Sequence, residues 1–251
     1  LGSVVLAFGS WRWVFAFFAV AAAVTAAWAL RLPETLPPER RIALDVRAMA
    51  EAGRAVLGSR FARGFTLAQM LVFGFFSSYL GSSQLIIDDA FGMAEWFPLI
   101  FGASSLVMGL ATLTNSLLID RYGLRHMVRY ALSGYVVASV AFVIIAVATG
   151  VRPPFWLYLL GIMPVLLMHS FTMPNVNSAA MMPMGRVAGT AAAIIGATAT
   201  LGGALIGALI DAAYDGSITP RAVAGLAVAL LAFVLARRSD ALWERDAERQ
   251  V

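Results

Sequence analysis

Residues 115–130, "NSLLIDRYGLRHMVRY", gather one acid, three arginines and a histidine between two long uncharged runs. Asp120, Arg121, Gly123 and Arg125 fall within six positions, close enough to form an ion-paired turn around a glycine. An acid at the end of one helix can meet an arginine or the N-terminus of a neighbouring helix, and such a contact can break and reform. His169 stands alone in an apolar run, and an imidazole there can exchange a proton near neutral pH, contact a ligand, or stay neutral and hydrogen-bonded to a neighbouring helix. Tyr79, Ser82 and Ser83 recur at i, i+3 and i+4, which puts a ring and two hydroxyls on one helical face. Asn175 and Asn177 flank Pro174 and add amide groups that could bind a small molecule.

These groups are set in a chain of 251 residues that is 61% hydrophobic and only 13% charged. Soluble domains run nearer 45–50% apolar and about 25% charged. The mean hydropathy is +0.83. A helix crosses a bilayer with roughly 20 apolar residues, and seven segments qualify, near 13–31, 65–87, 96–118, 128–149, 155–178, 187–210 and 219–236. The runs are long and continuous, unlike the alternating ten-residue strands of a barrel. The expected fold is therefore all-α and integral to the membrane, with seven spans preceded by a helix stub at residues 1–9 that is too short to cross. The last span is the shortest, and Arg221 could snorkel to the interface to lengthen it.

All 18 basic residues are arginine. Apart from Arg12, Arg152 and Arg221 they fall in one alternating set of connections, which the positive-inside rule places in the cytoplasm together with the C-terminus. The net charge of +4 is thus a topology signal, not a nucleic-acid footprint, and no nucleic-acid partner is expected. No cysteine is present, which excludes disulfides and thiolate chemistry, and no cofactor or metal site is expected. The motifs of a membrane enzyme are missing: H-E-x-x-H, G-x-S-x-G, a phosphate loop, or paired carboxylates inside a span. A seven-helix retinal protein needs a lysine for its Schiff base and this chain has none, whereas a seven-helix receptor stays open on topology alone.

Four parts are expected. Residues 1–31 close a preceding helical bundle. Residues 32–63 form a linker whose Ile42, Val46, Met49, Gly53, Val56 and Leu57 make an apolar helical stripe, suited to the inner leaflet or else to a flexible tether. Residues 64–238 make a six-helix bundle, and 239–251 a cytoplasmic tail. In the sixth span Gly189, Gly196, Gly203 and Gly207 leave room for close packing or for sliding and bending.

The turn, read as Asn115, Leu118, Asp120, Arg121, Tyr122, Gly123 and Arg125, resembles the G-x-L-a-D-r-x-G-r-k signature of major facilitator superfamily transporters, with Asn115 in place of the first glycine. "GSWRWVFAFFAV…RLPETLPPERR", "YLGSSQLIIDDAFGMAEWFPLIFGASSLVMGL" and "GTAAAIIG" followed by "GGALIG" and "DGS" resemble the Bcr/CflA drug-efflux branch, and the likeness covers nearly the whole chain. It implies the end of the N-terminal half and the complete C-terminal half of a twelve-helix fold in a bacterial inner membrane. It further implies proton-coupled export of a small amphiphilic substrate by alternating access, or transport of a metabolite, sugar or organic acid on the same scaffold. Asp120, Arg121, Gly123 and Arg125 would be the gating turn; Tyr79, Ser82, Ser83, His169, Asn175 and Asn177 are cavity candidates. The missing N-terminal half would be the chain's partner, and the present piece is not expected to pump alone.

Overall fold

A computed structural model of the protein describes residues 9–33, 46–150 and 153–248. The described residues are helical throughout, with no strand among them. Residues 1–45 and 46–251 form two separate units. The first contains α1 (Arg12–Ala29), whose residues are apolar along its length and none of which is buried. A helix hydrophobic all round belongs among other helices or in lipid. The expected stub at 1–9 lies almost wholly outside the described residues.

The second unit holds α2 (Val46–Gly58), α3 (Arg60–Phe91), α4 (Phe97–Thr149), α5 (Phe155–Met181), α6 (Ala188–Ala212) and α7 (Thr219–Glu248), with short 3₁₀ turns at Ala94–Trp96 and Met182–Val187. Including α1, six of these helices are long and apolar enough to cross a membrane. Seven spans were expected, and the difference lies in α4. Its 53 residues are broken by Gly123 at φ 76°, ψ 159°, so it comprises two arms, 97–122 and 124–149, each holding one expected span. That conformation is open essentially to glycine alone. Nothing lies within 4 Å of where a Cβ on Gly123 would stand, so only the backbone dictates the residue. Gly123→Ala should cost about 1–3 kcal/mol, read as a lower denaturation midpoint in detergent; an unchanged midpoint would show that the break does not depend on glycine.

The helix ends follow local chemistry. Ser59 caps α3 by accepting from the Ala62 N–H, and Gly92 ends it in the left-handed region at φ 65°. Before α7, Asp215 accepts from the Ser217 N–H at 3.0 Å and the Ser217 hydroxyl at 2.8 Å. Those bonds hold the exposed Asp215 carboxyl below the usual carboxylate range.

The core lies between α3, the second arm of α4, α5 and α7. Phe75, Leu132, Tyr135, Phe142, Tyr158, Ile162 and Leu166 fill it. Small residues on the facing helix admit the rings: a Cβ at Gly225 would stand 2.7 Å from Phe75, and one at Gly161 would collide with Phe142. In lipid, such close packing rather than a hydrophobic drive holds helices together.

Of the expected linker, residues 32–63, the part from Val46 to Gly58 forms the helix α2. α2 belongs to the same unit as the bundle: Val56 is buried, and Gly53 lies against Ile194 of α6. Met49 and Leu57 stay exposed, so only part of the expected stripe is docked. Ile42 lies outside the described residues.

Candidate functional site

The charged turn is organised by a residue that the sequence pattern does not point to. Arg125 and Arg129, in the first turns after Gly123, converge on Asp240 near the end of α7. Arg125 Nε lies 3.2 Å from Oδ1 and Arg129 Nη2 lies 2.9 Å from Oδ2. Asp240 is mostly buried while both arginines are partly exposed. Asp120, expected to face an arginine or a helix end, is exposed and makes no ion pair among the described residues. Asp120 and Arg125 stand on opposite sides of the break at Gly123, and the contacts to α7 are made from the second arm. Arg121 lies over the Tyr122 ring at 5.5 Å.

A second polar cluster occupies the opposite end of the bundle. Arg221, in the first turn of α7, is 4% exposed. It does not snorkel. Its Nη2 donates to the Ser78 carbonyl and hydroxyl at 3.2 Å, to the Ser82 hydroxyl, and to Asp211 Oδ1 at 3.4 Å. Asp211, near the end of α6, has Ser78 Oγ at 2.5 Å and Ser82 Oγ at 2.6 Å from the same oxygen. A buried guanidinium needs a counter-charge and acceptors, and Arg221 draws them from two neighbouring helices, α3 and α6. Outside it, Tyr214 donates to Asp89 at 2.7 Å; partial burial and that carboxylate hold its phenol up to about 12.

The cavity candidates separate. Tyr79 is stacked between Phe76 (6.1 Å) and Phe101 (5.7 Å), and Phe76 stacks on His169 at 4.4 Å. Together they form an aromatic ladder across α3, α5 and the first arm of α4. The His169 ring is buried, and its Nδ1 has no hydrogen-bond partner among the described residues. Ser83 is buried and donates back to the Tyr79 carbonyl, whereas Ser82 turns to Asp211. Asn175 is fully buried and donates to Asn115 Oδ1 at 2.6 Å and to the Phe171 carbonyl at 2.7 Å, binding α5 to α4. Asn115 therefore contributes an amide acceptor where the signature has a glycine. Asn177, two residues on, faces outward and is exposed.

The glycines of α6 separate too. A Cβ at Gly203 would stand 2.6 Å from Phe73, and one at Gly207 would stand 2.9 Å from the Ser78 backbone nitrogen. Gly74 of α3 faces them, its own Cβ position 3.3 Å from the Gly203 carbonyl. Gly189 and Gly196 have nothing within 4 Å. Asp240, Asp211, Phe76 and Phe101 were not legible as site residues. The one available signal was that Arg221 and Asp211 are ionisable groups at the very ends of apolar runs.

Long apolar helices, a glycine-broken pair of arms and charged ties at both ends define a multi-pass helical membrane protein. The chain belongs to the Major Facilitator Superfamily, whose family model matches residues 1–208. A Bacillus subtilis (strain 168) protein described as "Uncharacterized MFS-type transporter YdgK" is 25% identical over 184 residues, covering 72% of this chain and 45% of that protein. The chain thus spans about half the length of that relative. No solved structure matches.

Proposed function

We propose that this chain is the C-terminal part of a proton-coupled secondary transporter, of the Bcr/CflA drug-efflux branch, that exports small amphiphilic compounds by alternating access. The two-arm turn, with Arg125 and Arg129 held on Asp240, carries the reading. It is a polar tie at one end of the bundle, outside the apolar core, where helices of this half can shift against one another as a cavity opens and closes. The arginine-rich end lies in the cytoplasm on this reading, and an N-terminal half closes the other wall of the cavity. The His169–Phe76–Tyr79–Phe101 ladder supports an amphiphilic substrate, because stacked rings accept flat apolar groups and the phenol adds a polar edge.

The test uses the full-length transporter in cells loaded with a fluorescent amphiphilic dye. Dye should leave faster than from cells without the transporter, and a protonophore should abolish the difference. Equal efflux with and without the transporter would exclude this substrate class, and efflux indifferent to the protonophore would exclude proton coupling. Arg121→Ala combined with Arg125→Ala should slow transport roughly two- to fivefold, since a partly exposed ion pair is worth about 0.5–1 kcal/mol, while leaving dye binding nearly intact. Equal transport rates in wild type and double variant would remove the gating role.

A further inference from the structure

His169 stands near the middle of α5, about 21 Å from Phe155 and about 18 Å from Met181 at 1.5 Å per residue. Its imidazole stacks on Phe76, with centroids 4.4 Å apart and planes 21° apart. Stacking occupies the face of the ring and leaves its edge, which carries both nitrogens, for polar contacts. His169 is 5% exposed, and no ion pair among the described residues includes it. A buried imidazole without a counter-charge is neutral, with one N–H donor and one acceptor nitrogen. Nδ1 is the one buried polar atom of the ladder left without a hydrogen-bond partner among the described residues.

The polar side chains next to it in α5 are already committed. Ser170 donates to the Leu166 carbonyl at 3.2 Å, Thr172 to the Met168 carbonyl at 2.7 Å, and Asn175 to Asn115 and the Phe171 carbonyl. An unmade hydrogen bond in apolar surroundings is costly, and this one is kept at the depth where secondary transporters bind their substrates. Phe76 and Phe101 are half-buried, and so is Met173, one turn on from His169 on the same face of α5. Its unbranched thioether can rotate aside. A flat molecule that enters there and lies parallel to the ladder presents its edge, not its face, to Nδ1. The faces of Phe76, Tyr79 and Phe101 carry the negative side of the ring quadrupole, which favours a ring bearing an N–H over one bearing only acceptors. Such a donor selects the tautomer with its proton on Nε2.

Resting on the amphiphile reading above, we propose that His169 is the specificity-determining residue of the ladder. Its Nδ1 accepts a hydrogen bond from a ring N–H of the substrate, so flat heteroaromatic compounds that carry such a group are preferred over those that carry none. The stack supplies affinity for any flat ring, and the imidazole edge decides between them. An alkyl group in place of the N–H leaves Nδ1 unpaired and removes the preference.

The test titrates the purified full-length transporter with two fluorescent dyes that differ by one methyl group: a carbazole with a free ring N–H and its N-methyl derivative, both bearing the same polar tail. The wild-type protein should bind the N–H dye about tenfold more tightly, the factor that one hydrogen bond to a buried group contributes. His169→Phe keeps a ring on Phe76 and removes the nitrogen, so it should bind both dyes alike, with its affinity for the N-methyl dye unchanged. His169→Gln keeps an acceptor and loses the ring, so it should bind both dyes more weakly and retain a preference for the N–H dye. Equal affinities of the wild-type protein for the two dyes would overturn the proposal without any variant and leave the amphiphile reading standing. A side chain of the N-terminal half already seated on Nδ1 would give that result. A preference that persists in His169→Phe would also overturn it, by placing the acceptor elsewhere. Binding of neither dye to the wild-type protein would overturn both the proposal and the substrate class on which it rests.

Discussion

Gly207→Leu is expected to push α6 away from α3 and to lower stability by about 2–3 kcal/mol. The neighbours of a Cβ at this position are mostly backbone: the Ser78 nitrogen at 2.9 Å and the Gly74 carbonyl at 3.1 Å, with the Ser77 Cβ at 3.0 Å. None of them can rotate aside as a flexible side chain can. A leucine adds three further carbons in the same direction, so the two helices must separate along the whole Gly74–Gly203–Gly207 seam. Gly196→Leu is the matched control on the same helix. Nothing lies within 4 Å of its Cβ position, so the change should stay within about 0.5 kcal/mol. Denaturation midpoints in detergent provide the comparison. Equal losses at the two positions would mean that the seam is not what holds α6 in place.

Asp211→Ala should be the most damaging single change to the polar cluster, at about 3 kcal/mol. Removing one partner of a buried pair leaves the other charge without compensation. The two partners are not equivalent here. Arg221 is 4% exposed, whereas the Asp211 side chain is 31% exposed. Without Asp211 the guanidinium stays buried with only the Ser78 carbonyl and two serine hydroxyls. Without Arg221 the carboxylate keeps both hydroxyls and some access to solvent. Arg221→Met should therefore cost clearly less than Asp211→Ala, and combining the two should recover part of the loss. If Arg221→Met proves as costly as Asp211→Ala, the guanidinium is not the stranded group and this account of the cluster is wrong.

Composition and periodicity made the membrane fold legible because both are local properties. The apolar runs set the spans, and the glycine after Arg121 and Tyr122 marked the break in α4. The G-x-x-x-G of Gly203 and Gly207 marked the tight face of α6. Gly189 and Gly196 are the same residue type on the same helix but stand outside that motif, and nothing lies within 4 Å of their Cβ positions. What covers the α2 stripe was illegible for a related reason, because an apolar helical face looks the same whether lipid or protein covers it. The polar sites were the least legible. Arg129 and Asp240 are 111 positions apart, and Ser78 and Asp211 are 133 apart. Which way Arg221 points is decided by serines on another helix, and the His169 ring is placed by Phe76, far away in the chain.

One helix is anchored by both charged clusters. α7 is tied near its start by Arg221 to α3 and α6, and near its end by Asp240 to the second arm of α4. The two anchor points lie about 28 Å apart at 1.5 Å per residue, close to the thickness of the hydrocarbon core. A rod guyed at both ends can neither lean nor twist unless one of its stays is let go. α7 is thus the mast of this unit, stayed by charge at both of its ends.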